Sequence, residues 1–318
     1  MSARSPEFVA ALMGAVRGEV KAGASLARHS TYRIGGSATI FTPASAADLS
    51  AGVQAASAAG IPLFVVGLGS NVLFPDAGLD ALVVRMGKGL DAVRHEADRW
   101  WLGAGLPAPH AARKTAQQGW AGLHMMVGVP GTVGGGVFMN AGCHGGQWAD
   151  VVEQVTVVNA QGAARTLSKG EIPFSYRRSG LDGAIVVEVE VRLREGNREE
   201  LDREVERLFE WRQRGTPFNQ PCCGSVFKNP EGPAPAGWNR PWTAGSVIEE
   251  AGLKGTAEGA VIVSPMHANY FVNTGGATAA EVRALIARAR ETVRERIGVV
   301  LETEVKVIGR FGEYVTIR

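Results

Sequence analysis

Cysteine is scarce in this chain, with three thiols in 318 residues, and two of them, Cys222 and Cys223, are adjacent while Cys143 stands alone. So few cannot form a disulfide framework, and neighbouring cysteines seldom bridge without strain, so a reducing, cytoplasmic compartment is expected. Long apolar runs are missing as well. None approaches the roughly 20 residues that a membrane-spanning helix requires. The apolar stretch 8–16 is flanked by Glu7 and Glu19 and puts Phe8, Val9, Leu12 and Val16 on one helical face, which predicts an amphipathic helix rather than a secretory leader. Charge of one sign is lacking too: a net charge of +2 with 20% charged residues describes neither a nucleic-acid-binding polycation nor a disordered chain. Finally, the six histidines and three cysteines show no paired ligand spacing, so no metal centre is expected.

What the chain has in excess is glycine, 42 residues clustered chiefly at 67–69, 128–146 and 275–276. Clustered glycine marks backbone brought close to something. The length exceeds what one core comfortably fills, which predicts two or three domains.

The opening is α/β in texture. Ser45, with Asp48 at the third helical position, Leu49, Val53 and Ala56 on one face and Gly60 before Pro62, predicts a capped helix. Leu63-Phe64-Val65-Val66 predicts a buried strand running into Gly67-Leu68-Gly69-Ser70-Asn71, with a further strand at 81–85. From 151 strands take over, and apolar 185, 187, 189, 191 and 193 alternate with Glu188, Glu190 and Arg192, predicting one buried and one wet face. Leu201, Val205, Leu208 and Phe209 mark a helix that Gly215-Thr216-Pro217 ends, and a domain boundary is placed near 213. The Pro-, Gly- and Trp-rich segment 231–245 has no period and reads as a loop. Beyond it, Thr278 and Glu281 form a capping box for a helix ending at Gly298, and a strand at about 303–308 closes the chain.

Gly67-Leu68-Gly69-Ser70-Asn71 after a strand offers unhindered peptide N–H groups to an anion, but it lacks the third glycine and the following helix of a dinucleotide fingerprint. A second loop, Gly128-Val129-Pro130-Gly131-Thr132-Val133-Gly134-Gly135-Gly136 followed by Met139-Asn140-Ala141-Gly142, adds a second such nest. Two nests suit a diphosphate-bridged cofactor. Glycines that permit close packing of sheet and helix are an equally good account of both loops.

In order and spacing, His29-Ser30-Thr31-Tyr32-Arg33-Ile34-Gly35-Gly36, the two glycine loops, Phe174-Ser175-Tyr176-Arg177, Gly224-Ser225-Val226-Phe227-Lys228-Asn229-Pro230 and Leu301-Glu302-Thr303-Glu304-Val305 resemble the UDP-N-acetylenolpyruvoylglucosamine reductase family over nearly the whole chain. The resemblance implies an α+β protein: a two-subdomain FAD-binding module of the vanillyl-alcohol-oxidase (PCMH) type with a smaller α/β substrate domain. On that division residues 1–212 form the flavin module, with subdomains at about 1–87 and 88–212; residues 213–302 bind substrate, and 303–318 return as a strand. It further implies a cytoplasmic, monomeric enzyme of peptidoglycan (cell-wall) synthesis. With NADPH as reductant, it would convert UDP-N-acetylglucosamine enolpyruvate to UDP-N-acetylmuramate. FAD would be held noncovalently, because Ser70 stands where covalent relatives carry a histidine.

The residues that the resemblance assigns to FAD are Gly67, Gly69, Ser70, Asn71, Gly128, Pro130, Gly131, Thr132, Gly134, Gly135, Asn140, Ala141 and Gly142. Catalysis falls to Ser225 as proton donor, Arg177 as the cation beside the substrate carboxylate and Glu304 as the assisting carboxyl group; Tyr176, Arg214, Lys228, Asn229, His267 and Asn269 are the substrate contacts. The chemistry suits these types, since hydride addition to an enolpyruvyl group builds enolate charge that a cation must stabilise and an acid must quench. Taken singly each has a plainer explanation: Ser225 as a backbone cap, Arg177 beside Arg178 as a solvated pair, Glu304 as an outward strand residue. The chain departs from the family pattern in three places: Arg214-Gly215-Thr216-Pro217 lacks the lysine usual just before its proline, Met266 stands where a lysine usually precedes His267-Ala268-Asn269, and the short link after Arg177 lacks the tyrosine-bearing lid of one branch. The Trp238–Trp242 loop is a candidate cover in its place.

Overall fold

A computed structural model describes residues 2–317. The chain forms two compact units. The first joins the N-terminal segment up to Ala24 with Ala38–Leu68 and Asp80–Arg212; the second gathers Ser25–Ser37, Gly69–Leu79 and the chain from Gln213 onward.

In the first unit the helix Pro6–Ala15 is capped by Ser5 and buries Phe8 and Leu12. The helix Ala46–Ala58 has the expected cap, Ser45 accepting from the Asp48 amide. The Asp48 carboxylate turns elsewhere and accepts from the amides of Arg17, Gly18 and Ala44, so it ties the preceding segments to the helix start rather than closing a capping box. Leu63–Val66 and Ser37–Thr42 flank Leu82–Arg85 in parallel, with Glu19–Ser25 at the edge beside Ser37–Thr42.

A five-stranded antiparallel sheet follows, in the order Ala164–Ser168, Val152–Val158, Ile185–Arg192, Arg99–Gly103, Val93–Glu96. Its central strand departs from the expectation of one wet face, because Ile185, Val186, Val187, Val189, Glu190 and Val191 are all buried. Two ion pairs make the acidic positions tolerable there: Arg99 with buried Glu190 at 3.5 Å and Arg94 with half-buried Glu188 at 3.0 Å. The core around these strands centres on Trp100, Trp148, Phe8 and Phe41.

The second unit has its own core, in which Tyr32, Val226, Phe227, Phe271 and Leu285 are almost fully buried. The helix Ala279–Ile297 carries the predicted Thr278/Glu281 capping box and ends on Gly298 in the left-handed conformation, φ 78°. It lies with the helix Ala244–Glu250 and a three-stranded sheet of Ala257–Glu258, Val261–Val263 and Phe271–Asn273. The expected closing strand shrinks to Lys306–Val307, paired in parallel with Val72–Leu73. The segment containing Trp238 and Trp242 is irregular, yet it is anchored: the two indoles meet edge to face at 5.0 Å and pack on the second core. No helix among the described residues is long and apolar enough to cross a membrane.

Candidate functional site

In the first unit the second glycine loop enters a short helix, Val133–Phe138, whose start is fixed by the protein's own hydrogen bonds. Thr132 caps it by accepting from the Gly135 amide, Val133 N–H donates to Leu106 O, and Gly134 N–H donates to Ala104 O. The glycines here do two different jobs. A Cβ on Gly134 would lie 2.8 Å from the Ala104 Cβ, and one on Gly67 would lie 2.5 Å from Thr132 Oγ1, so close packing demands those two. Gly135 is exposed and a Cβ there would make only an ordinary contact, at 3.5 Å, which leaves a side-chain-free surface that protein packing does not require, whereas Gly128 is buried. Gly131, at φ 139°, needs glycine for its backbone. Pro130 precedes it, and its missing N–H and fixed φ stiffen the entry.

Beyond the helix, Asn140 is buried and left-handed at φ 42°. Its amide is fully used within the protein: Nδ2 donates to Gln147 Oε1 at 3.0 Å and to Ser175 O at 2.9 Å, and Oδ1 accepts from Ala149 N–H at 3.0 Å. What this residue offers a cofactor is therefore loop shape, shared with Ala141 and Gly142, rather than its side chain. The bond to Ser175 also holds a tight turn in which Ser175 and Arg178 exchange backbone hydrogen bonds, leaving Tyr176 and Arg177 at the tip. Tyr176 is 49% exposed, and Arg177 sits at φ 57°, a conformation that costs a non-glycine residue about 1 kcal/mol. Such strain concentrates at functional positions. The Arg177 guanidinium donates to Gly142 O at 3.1 Å and lies 4.9 Å from the Tyr176 ring, so the second glycine loop and the proposed carboxylate cation are joined directly.

Two neighbours escape the sequence reading. The Arg212 stem covers Gly128; burial pushes the nearby Cys143 thiol up, and the charges of Arg212 and Arg177 counter only part of that rise. His144, left-handed at φ 52°, meets Trp211 edge to face; burial first, and then Arg207 and Arg212, hold its imidazole below the usual value. The only sequence signal for this corner is Gly145, which with His144 makes the two-residue turn between Gly142–Cys143 and Gly146–Gln147, both at positive φ, 52° and 82°.

In the second unit three segments distant in sequence are woven together by backbone. Gly69, at φ 66°, accepts from Thr31 N–H, and an added Cβ there would strike the His29 carbonyl. Beneath Gly69-Ser70-Asn71 lies Cys223, whose thiol donates to Val72 O at 3.0 Å; burial holds it up at about 12, so it is an inert packing group. Phe227 pairs with Thr303 in an antiparallel bridge, with Lys228 N–H donating to Glu302 O and Glu304 N–H donating to Val226 O, each at 2.8 Å. Ser225 thus lies one residue from the carbonyl that receives the Glu304 amide.

Asn269 clamps this bridge from the buried side. Its carbonyl accepts from Val226 N–H, its Oδ1 accepts from Phe227 N–H at 2.9 Å, and its Nδ2 donates to Phe227 O at 2.8 Å. Although the resemblance makes Asn269 a substrate contact, its side chain is spent on the segment carrying Ser225 and Lys228. Lys228 forms an ion pair with Glu302, which is 68% exposed. Asn229 caps the helix Ala244–Glu250 by accepting from Ala244 N–H at 3.1 Å, and the His267 ring lies over the same helix start, where a Cβ on Gly245 would come within 2.9 Å of it. Arg214 is exposed, one residue before the end of the helix Arg198–Gly215.

These surroundings fit a flavin nucleotide: exposed, side-chain-free backbone at Gly135, a loop held by its own backbone hydrogen bonds, and an arginine joined to that loop.

Comparison with known proteins agrees with the geometry. Residues 37–168 match the FAD binding domain family, which bears out the expected flavin module, and residues 216–308 match the C-terminal domain of UDP-N-acetylenolpyruvoylglucosamine reductase. The curated UDP-N-acetylenolpyruvoylglucosamine reductase of Halalkalibacterium halodurans is 38% identical over 306 residues, spanning 95% of this chain and 99% of the relative. That of Heliobacterium modesticaldum is 41% identical over 90% of each chain. The crystal structure of the Thermus caldophilus reductase superposes with a TM-score of 0.77 at 33% identity, covering 92% of this chain and 99% of the other. The chain belongs to the UDP-N-acetylenolpyruvoylglucosamine reductase family.

Proposed function

We propose that this chain reduces UDP-N-acetylglucosamine enolpyruvate to UDP-N-acetylmuramate for peptidoglycan synthesis, with Ser225, Arg177 and Glu304 carrying the chemistry. When bound, FAD reduced by NADPH supplies the hydride that adds to the methylene carbon of the enolpyruvyl group. The Gly69–Asn71 and Gly128–Gly142 loops hold the nucleotide with backbone, and Tyr176 and Arg177 meet the substrate. Arg177 stabilises the enolate charge that develops on the substrate carboxylate, its guanidinium already oriented by Gly142 O. Ser225 donates its hydroxyl proton to the substituted carbon, which becomes the CH of the lactyl ether, and regains a proton from solvent. Glu304 assists from the opposite strand of the bridge. Lys228, Asn229 and His267 gather the UDP moiety around the start of the helix Ala244–Glu250, with Arg214 as a further cation. Residues 1–212 act as the flavin module and 213–302 as the substrate domain, in a cytoplasmic monomer.

The observation that supports this most is the network in which the Asn71, Ser225 and Glu304 segments, separated by more than 200 residues between first and last, share consecutive backbone bonds. The purified protein should be yellow. Under anaerobic conditions NADPH should bleach it, and the enolpyruvyl UDP-sugar should restore the colour. Restoration by oxygen but not by that sugar would make it an oxidase, and a colourless protein would make it a binding protein without redox chemistry.

A further inference from the structure

Asn71 sits on the first glycine loop, where the family resemblance makes it a flavin contact. Its side chain faces a different task. Nδ2 donates to the Glu304 carbonyl at 3.2 Å, and the Asn71 carbonyl accepts from Lys306 N–H at 3.0 Å, so the residue brackets the Glu304-Val305-Lys306 backbone from both ends. The same backbone is gripped on its other edge by Val226 O, which accepts from the amides of Glu304 at 2.8 Å and Val305 at 3.3 Å. Glu304 is thus held between Asn71 on one side and the segment bearing Ser225 on the other. It has no regular strand of its own to fix it, because pairing with Val72–Leu73 begins only at Lys306.

We infer that Asn71 is a positioning residue for proton delivery: it sets the reach of the Glu304 carboxylate toward Ser225, and its amide is not primarily a cofactor ligand. This rests on the roles proposed for Glu304 and Ser225. Backbone pairing through Lys306 N–H survives loss of the side chain, so Asn71→Ala should free Glu304 without unravelling the loop. A displacement of about 1 Å in such a group costs on the order of 100-fold in rate.

The test compares Asn71→Ala, Glu304→Gln and the double variant with the parent holoenzyme. FAD affinity is read by reconstituting the apoprotein, and each half-reaction by anaerobic rapid mixing. The expected result is that Asn71→Ala keeps FAD affinity and NADPH-driven bleaching within about 3-fold while slowing reoxidation by the enolpyruvyl UDP-sugar by about 10- to 100-fold; in the Glu304→Gln background it adds less than about 3-fold, the non-additivity of residues acting as one unit. Asn71→Asp, which sets an oxygen against the Glu304 carbonyl, should be at least as slow as Asn71→Ala. Weakened FAD binding with equal slowing of both halves, or slowing that multiplies fully with that of Glu304→Gln, overturns the inference while leaving the role of Glu304 intact. Normal reoxidation in Glu304→Gln itself overturns the role of Glu304, and the inference falls with it.

Discussion

Three asparagines carry much of the precision in this protein. Asn71, Asn140 and Asn269 each read in the sequence as ligand contacts, and each has its side chain engaged by backbone far along the chain: Glu304 O for Asn71, Ser175 O for Asn140, and the Phe227 peptide for Asn269. A motif reveals that a residue belongs near a site. It does not reveal whether the side chain faces the ligand or braces the residue that does, because that depends on contacts across 35 to 233 positions. The opposite case is Tyr32, buried in the second core with its hydroxyl meeting no hydrogen-bond partner among the described residues. Leaving such a group unsatisfied costs about 1 kcal/mol or more. Tyr32→Phe should therefore hold or raise the melting temperature, by about 2–4 °C per kcal/mol gained in a chain of this size. Calorimetry of the two proteins checks this, and a fall of several degrees would show that the hydroxyl is satisfied.

Among the elements, those with a strong period and matching end signals were legible: Ala46–Ala58 behind Ser45, and Ala279–Ile297 between its capping box and Gly298. Elements stabilised by tertiary contacts were not. The helix Ala108–Ala116 buries Ala108, Ala111, Ala112 and Ala116, a face of small residues with little hydrophobic signal, and the helix Ala244–Glu250 hides at the end of a Pro- and Trp-rich segment. The strand Ile185–Arg192 shows why alternation misleads, since its acidic positions are matched by Arg94 and Arg99 and not left to water. The Trp238–Trp242 segment packs its two indoles on the second core while residues 239–241 between them are exposed. The bridge between Phe227 and Thr303 also places the Lys228 and Glu302 side chains in an ion pair. A partly exposed pair of this kind is worth at most about 1 kcal/mol. If Lys228 is the cation directed at the substrate phosphates, Glu302→Gln should release it and lower the KM for the UDP-sugar by about 2- to 5-fold at low ionic strength. The difference should vanish near 1 M salt, where the screening length is about 3 Å. Steady-state kinetics at the two salt levels decides; an unchanged KM at low salt would remove Lys228 from the phosphate site.

For the molecule as a whole, the second unit buries two acids in their neutral forms. Burial raises the Cys223 thiol to about 12 and the Tyr32 phenol well above its ordinary range, neighbouring cysteine sulfurs adding to the latter. An unfolded cysteine titrates near about 8.5 and a tyrosine near about 10. Above those values the unfolded chain has lost protons that the folded one keeps, so the stabilising contribution is full below about pH 8.5 and falls as pH rises, by about 1.4 kcal/mol per pH unit for each group in its window. Urea unfolding between pH 8 and 11 should show this loss, and Cys223→Ala combined with Tyr32→Phe should flatten it; an equally steep loss in the double variant would assign the effect to other groups.

The division of labour proposed above has a sharper test in one side chain. Transfer of electrons from NADPH to the flavin asks nothing of Ser225, whereas completion of the lactyl ether needs its proton, and a positioned general acid contributes about 100- to 10,000-fold. In Ser225→Ala, anaerobic rapid mixing should record bleaching by NADPH within about 2-fold of the parent and reoxidation by the enolpyruvyl UDP-sugar slowed by about 1,000-fold or more. Equal slowing of both halves, or reoxidation at the parent rate, would contradict the account.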